Sequence, residues 1–255
     1  LLDDSIRAIM PPWGGELLID LLPLLDWPAL AAARPKWIIG YSDLSTFMLA
    51  YTLRTHIATL NGANLLEAPI DPTDPALAYW NDVATLPPGA TFLQHAASFY
   101  QPDDVDWAAN PTATQFKRTA AVRYQYLTHE DDPAARVTVS GRLLGGTLDV
   151  IAMLVGSEYG DIRSFAQTYA PEGLLIFLDN ADMNTAQYCR MLHHLKLAGW
   201  FDHANGILVG RTGGEQLREF TIRDALVSAL GDLALPVLYD LDIGHLPPQW
   251  ILVNG

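Results

Sequence analysis

Pro35-Lys36-Trp37-Ile38-Ile39-Gly40-Tyr41-Ser42-Asp43-Leu44 is the segment on which the fold turns. Trp37-Ile38-Ile39 reads as a short buried strand that stops at Gly40. Residues 44–55 follow with helical character, so the stretch runs strand, sharp turn, helix. The same order recurs on both sides of it. Toward the N-terminus, Ala8-Ile9-Met10 runs into Pro11-Pro12-Trp13-Gly14-Gly15, and residues 16–25 are expected to be helical. Toward the C-terminus, an apolar strand over 174–178 ends at Asp179 and a helix over 185–197 follows. A strand at 206–209, a helix at 222–230 and a strand at 236–238 complete the series. Strands alternating with helices specify α/β units and a largely parallel sheet. The middle differs, because residues 71–132 are rich in Pro, Asp and Thr. Residues 123–129 and 136–140 are expected to be strands of an antiparallel region. A domain transition falls between 120 and 140, dividing the chain into 1–125 and 126–255.

Apolar residues make up 50% of the 255, enough for a real core, which excludes a disordered chain. Lys and Arg number 15 against 29 Asp and Glu, a formal net charge of −14. That balance argues against nucleic acid and anionic membrane surfaces as partners, since both need clustered cations. Cys189 is the single cysteine, so no intrachain disulfide or CxxC centre exists and a reducing, cytoplasmic compartment is expected. Residues 17–33 are the most apolar stretch, but Asp20, Pro23, Asp26 and Pro28 break it, so it is not a membrane span. The first residue is Leu, and no basic-then-apolar leader follows it. The chain therefore reads as a fragment or processed form.

Ser42 lies between a strand end and a helix start, where a sharp turn exposes the hydroxyl and the first helical amides point at the same spot. Leu44 stands where the G-x-S-x-G elbow has its second Gly. Helix capping by Ser42 or Asp43 is the other reading. A serine nucleophile needs a base, and the base needs an orienting carboxylate. Among seven histidines, His245 stands out: it follows Asp240-Leu241-Asp242-Ile243-Gly244 after a strand and precedes Pro247-Pro248. Asp179 ends its own strand, with capping by Asp179 or Asn180 as the alternative. Ser42, Asp179 and His245 each follow a strand end, and a parallel sheet gathers such ends along one edge. Gly14-Gly15 could supply an amide to an oxyanion or simply form a tight turn. Gly141-Arg142-Leu143-Leu144-Gly145-Gly146 has no phosphate-loop spacing. Trp13, Trp80, Trp107 and Tyr100 are candidate stacking rings as well as packing residues. His129-Glu130-Asp131-Asp132 reads as a solvated loop with some capacity for metal. Cys189, within a helix, reads as an inert core residue. No cofactor or metal is expected.

Taken in order, Trp13-Gly14-Gly15, residues 21–27, Gly40-Tyr41-Ser42-Asp43, residues 141–148, residues 175–179, residues 206–210 and Gly244-His245 match a known pattern. The chain resembles the LD-carboxypeptidase and microcin C self-immunity family of serine peptidases over nearly its whole length. The resemblance implies a Rossmann-like N-terminal domain carrying the serine. It also implies a C-terminal α/β domain of β-barrel-like character carrying the acid and the histidine, a groove between them and a homodimer. Ser42 maps onto the nucleophile and His245 onto the general base, with the amides of Asp43 and of Gly15 or Gly14 as oxyanion hole. Asp179 falls where the family usually has Glu. One methylene shorter, it requires the histidine loop to move closer. The family begins with strand–helix units that precede this segment, and it continues past Gly255, so an incomplete N-terminal domain is expected.

Trp13 before the paired glycines, Glu16-Leu17 after them, Gly145-Gly146-Thr147-Leu148 and Gly156-Ser157-Glu158-Tyr159 resemble the microcin-immunity branch, which cleaves an amide joining an aminoacyl group to a modified nucleotide. The expected activity is thus serine hydrolysis of a small peptide or peptidyl-nucleotide conjugate. Removal of terminal D-Ala from a murein tetrapeptide is the second reading. A binding homologue that has lost the chemistry is the third.

Overall fold

The computed structural model describes residues 1–68, 77–103, 109–110, 112–127 and 136–255. The first sheet holds the parallel strands β1 (Ala8–Ile9), β2 (Trp37–Gly40) and β3 (Thr59–Asn61). The apolar stretch 17–33 lies between β1 and β2 and splits at Asp26, whose carboxylate accepts from Ala29 N at 3.0 Å and starts α1 (Trp27–Ala32). Upstream of the cap the chain forms a 3-10 turn over Leu18–Leu24 rather than the longer helix expected at 16–25. Pro23 within it has no N–H to donate, which favours short 3-10 pieces over a regular α ladder.

After β2 comes α2 (Leu44–Thr55), in which all but Arg54 are buried. A helix buried all round lies inside the protein even though Ser45, Thr46, Thr52 and Thr55 are polar, and α2 packs on β2, β3 and the second sheet. Two small elements follow: α3 (Trp80–Ala84) and the antiparallel pair β4 (Phe99–Tyr100) and β5 (Ala120–Ala121).

The second sheet has the order β6-β10-β9-β8-β7. Its parallel strands are β7 (Arg142–Thr147), β8 (Leu174–Asp179), β9 (Ala204–Gly210) and β10 (Val237–Leu241), and β6 (Gln125–Tyr126) runs antiparallel on β10. The connections are α4 (Leu148–Ile151) and α5 (Ile162–Tyr169), then α6 (Thr185–Leu197), then α7 (Ile222–Leu230). β6 and β7 are its edges, and no pairing closes one onto the other among the described residues.

Of the antiparallel strand expected at 123–129, the described residues 123–127 hold the two-residue β6, residues 128–129 lie outside the described residues, and residues 136–140 form no strand. The Ser140 carbonyl is taken by the Asn205 side chain at 2.8 Å instead of by a neighbouring strand. At the other end the chain returns to the first sheet, where β11 (Leu252–Asn254) pairs antiparallel with β3. The Asn254 amide then ties the sheets together, its Oδ1 accepting from Gly145 N in β7 at 3.1 Å. The glycine-rich motif at 141–146 is therefore a strand, pressed against α2: Thr147 N donates to Ser45 Oγ at 3.2 Å.

Candidate active site

The ends of β2, β8 and β10 carry the three residues expected to act together. Ser42 has φ 64°, the left-handed conformation that a non-glycine residue adopts only under constraint. The constraint is local: buried β2 and buried α2 are joined by only three residues. Asp43 begins α2 without capping it; no side-chain cap bond forms. Its carboxylate accepts instead from Leu18 N at 2.9 Å and from Thr46 Oγ1 at 3.4 Å. That bond draws the segment after Gly14-Gly15 onto the start of α2. A Cβ at Gly14 would stand 2.6 Å from Ser42 Oγ, so only glycine allows this backbone so close to the hydroxyl.

Asp179 ends β8 almost fully buried, and it caps nothing; Asn184 caps α6 in a capping box with Gln187. Asp179 Oδ2 meets His245 Nδ1 at 2.7 Å. The backbone of the histidine loop comes close to Asp179 at Gly244. Its φ is 95°, and a Cβ there would lie 2.5 Å from Asp179 Cβ. On the other side of the ring, Nε2 is buried and has no hydrogen-bond partner among the described residues, Ser42 included.

Burial alone would lower the His245 pKa. The charge and hydrogen bond of Asp179 outweigh it, and the Asp149 and Glu67 carboxylates add to that, so the imidazolium is held above the ordinary histidine range. The Tyr41 ring meets the His245 ring edge-on at 4.9 Å. Tyr41 OH donates to Glu67 Oε1 at 2.7 Å, and Glu67 Oε2 accepts from Asn64 N at 3.0 Å. Burial pushes the Glu67 carboxyl up, partly offset by those two bonds and by His245.

The loop carrying His245 is held by a buried ion pair. Arg211 Nη1 donates to Asp242 Oδ1 at 2.5 Å, and Nη2 donates to the carbonyls of Leu246 at 3.0 Å and Pro248 at 2.9 Å. Asp242 Oδ2 also accepts from Ala97 N at 2.8 Å and from Tyr124 OH. Both oxygens of this carboxylate are thus engaged, by three donors in all, and the chain on both sides of His245 is fixed. Sequence reading passed over Arg211, Asp242, Tyr41 and Glu67. The one signal available was charge next to apolar strand ends, at Gly210-Arg211 and Leu241-Asp242.

The other candidates are dispersed. His56 ends α2 with φ 62° and stacks on Tyr169, while His193 and His203 contact Ser228 and Gln167. Cys189 is buried in α6. Trp13 is 63% exposed beside Gly14, and Trp80 lines a small cavity next to Glu67. Tyr100 lies under Arg211, its ring centroid 4.6 Å from Cζ. Trp107 and the run His129-Glu130-Asp131-Asp132 fall outside the described residues. Among the described residues no group of three or more His, Cys, Asp or Glu could hold a metal, and no helix is long and apolar enough to cross a membrane.

Parallel sheets with a serine turn and an Asp–His pair at their strand ends define an α/β protein with a candidate site at its strand ends. Residues 1–62 match the LD-carboxypeptidase N-terminal domain and residues 140–255 the LD-carboxypeptidase C-terminal domain, and the chain belongs to the LD-carboxypeptidase family. A Vibrio cholerae relative assigned to the carboxypeptidases is 27% identical, covering 99% of this chain and 72% of its own length. A Streptomyces coelicolor relative is 28% identical over 95% of this chain, which spans 65% of that protein. The microcin C7 self-immunity protein MccF of Escherichia coli is 25% identical over 98% of this chain and 70% of its own. The solved structure of MccF with aspartyl sulfamoyl adenosine superposes with a TM-score of 0.76 at 23% identity, covering 99% of this chain and 72% of the other. An MccF-like protein of Streptococcus pneumoniae, solved with AMP, gives 0.72 at 22%, covering 100% and 76%.

Proposed function

We propose that the protein is a metal-independent serine hydrolase that cleaves an amide bond in an aminoacyl-nucleotide conjugate or a small peptide. The observation that carries this reading is the Asp179–His245 bond, with Nε2 of the same ring buried and unpartnered and the ring edge-on at 4.9 Å to Tyr41, the residue that precedes Ser42 and its left-handed turn. Ser42 Oγ attacks the carbonyl carbon while His245 Nε2 takes its proton. The Ser42–His245 hydrogen bond is the contact that the substrate complex has to form, since catalytic hydrogen bonds tighten when substrate binds. The resulting oxyanion accepts from the N–H of Asp43 and from that of Gly15 or Gly14. His245 then gives the proton to the leaving nitrogen, and a water activated by the same ring releases the acyl group. Asp179 holds the imidazole tautomer and stabilises the imidazolium. In this reading residues 1–125 bring the nucleophile, and residues 126–255 bring the acid and base.

A nucleotide conjugate is favoured over a muropeptide by Trp13, exposed beside Gly14, where a ring can stack on a base. The MccF structure with aspartyl sulfamoyl adenosine supports the same choice. The test is hydrolysis followed by mass spectrometry, offering an aminoacyl-sulfamoyl adenosine and a muramyl tetrapeptide to the protein and to Ser42→Ala. Serine-dependent cleavage of the conjugate is expected. Loss of D-Ala from the tetrapeptide alone would transfer the protein to the carboxypeptidase reading. Cleavage that survives Ser42→Ala would end the mechanism.

A further inference from the structure

A second concave region lies at the carboxyl ends of β9 and β10, outside the residues assigned to the reaction. It is a cavity of about 510 Å³ whose wall includes Arg123, Arg211, Arg223, Tyr100, Thr221 and Asp240. That volume is in the range of small-molecule sites and far larger than one inorganic ion needs. Three of the 15 basic residues of a chain with net charge −14 gather here, and Asp240 is the one carboxylate among the lining residues.

Three features give the wall its polarity. Arg211 is only 4% exposed, and its Nη groups are committed to Asp242, Leu246 and Pro248. Its Nε is buried with no hydrogen-bond partner. The start of α7 meets the cavity at Thr221 and Ile222, and the capping box there satisfies the N–H groups of Thr221 and Asp224. A helix N-terminus carries partial positive charge and orphan N–H groups. Lastly, β10 slips register between Leu238 and Leu241, with Asp240 at φ 59°. Such bulges re-aim side chains at functional edges. Gln125 Nε2 donates to Asp240 Oδ2 at 3.1 Å, and burial pushes the Asp240 carboxyl up against the opposing effects of that bond and of Arg211.

We infer that this cavity binds a small organic oxyanion, a phosphate or carboxylate ester-sized molecule, held by Arg123 and Arg223 at the rim, with Arg211 and the start of α7 at the floor. The cavity shares Arg211 and Leu246 with the latch of the His245 loop, so an occupant touches the element that positions the histidine. The inference does not rest on the hydrolase reading, because binding is measured without turnover.

The probes are glycerol 2-phosphate and citrate, titrated calorimetrically at constant ionic strength into the full chain, into Arg123→Gln/Arg223→Gln and into Ser42→Ala. Saturable binding of either probe at one site per chain is expected. It should weaken at least tenfold in the arginine variant and stay unchanged in Ser42→Ala. Whichever probe binds more tightly identifies a phosphoryl or a carboxyl ligand. Both arginines are exposed, and a melting temperature equal to the parent's shows that the variant folds. The same melts give a second readout, since a ligand that binds only the folded state raises the melting temperature. No saturable binding of either probe, or equal binding with and without the two arginines, overturns the inference.

Discussion

The two halves of the candidate site are held by opposite means. Ser42 is positioned by neighbours in sequence: a strand ends at Gly40, a helix begins at Leu44, and φ 64° is the outcome of joining them. His245 is positioned by residues far away in the chain. Asp179 lies 66 residues upstream, Arg211 lies 31 residues from Asp242, and Ala97 lies 145 residues from it. A local device survives damage elsewhere, whereas a long-range one fails when any partner is removed. The difference predicts which substitutions affect chemistry alone and which affect chemistry and fold together.

The largest expected effect is on the local half. Ser42→Ala should lower kcat by roughly 10⁴-fold or more, as removal of a triad member does, and leave the melting temperature unchanged. A matching loss of stability would show that the turn is not locally held. On the long-range half, Asp179→Asn should cost about as much in kcat through the wrong imidazole tautomer. It should also move the acid limb of the pH–rate profile. Catalysis needs neutral His245, and the Asp179 carboxylate holds the imidazolium above the ordinary histidine range. Activity therefore falls with acidification at a higher pH in the parent than in Asp179→Asn. An acid limb at the same pH in both would separate Asp179 from the ring.

Arg211→Met tests the comparison most directly. Removing one member of a buried pair leaves Asp242 charged and without a counter-charge, at a cost of about 3–5 kcal/mol. The melting temperature and activity should fall together, and Arg211→Met/Asp242→Leu should recover stability without activity. If the single variant melts like the parent, the latch does not hold the loop. Gly14→Ala returns to the local half. The added methyl meets Ser42 Oγ, so kcat should drop on the order of 10²-fold, the scale of a lost oxyanion contact, with little change in melting. The smallest effect belongs to Glu67→Gln, which removes a negative charge that favours the imidazolium. It should shift the acid limb to lower pH, by less than Asp179→Asn does.

The elements that were legible in advance are those whose pattern is complete within a short window. The periodicity of 44–55, 185–197 and 222–230 marks α2, α6 and α7, and the apolar runs at 37–39 and 174–178 mark β2 and β8. Asp179 and His245 were found because each follows such a strand, and their joint register at one edge follows from parallel pairing. Over 16–25 the sequence predicts a helix, and Pro23 lies inside that segment. The 3-10 turn shows backbone chemistry winning over side-chain pattern. Residues 136–140 alternate like a strand yet find no ladder partner, because strand formation depends on what lies alongside.

The same reasoning separates what is written along the chain from what folding adds. Composition, the alternation of strand and helix, and the left-handed serine turn follow from local sterics and from the burial of apolar residues at fixed spacing. Short-range rules suffice for these because they involve residues within one or two turns of each other. The Asp242 carboxylate buried under Arg211, the Glu67–Tyr41 contact behind His245, and the return of β11 to the first sheet depend on charges and strand edges meeting across separations that run from 26 residues for Tyr41–Glu67 and 31 for Arg211–Asp242 to 145 for Ala97–Asp242. A buried charge is tolerable only where its partner arrives. That partner is specified by three-dimensional packing, which no local pattern encodes.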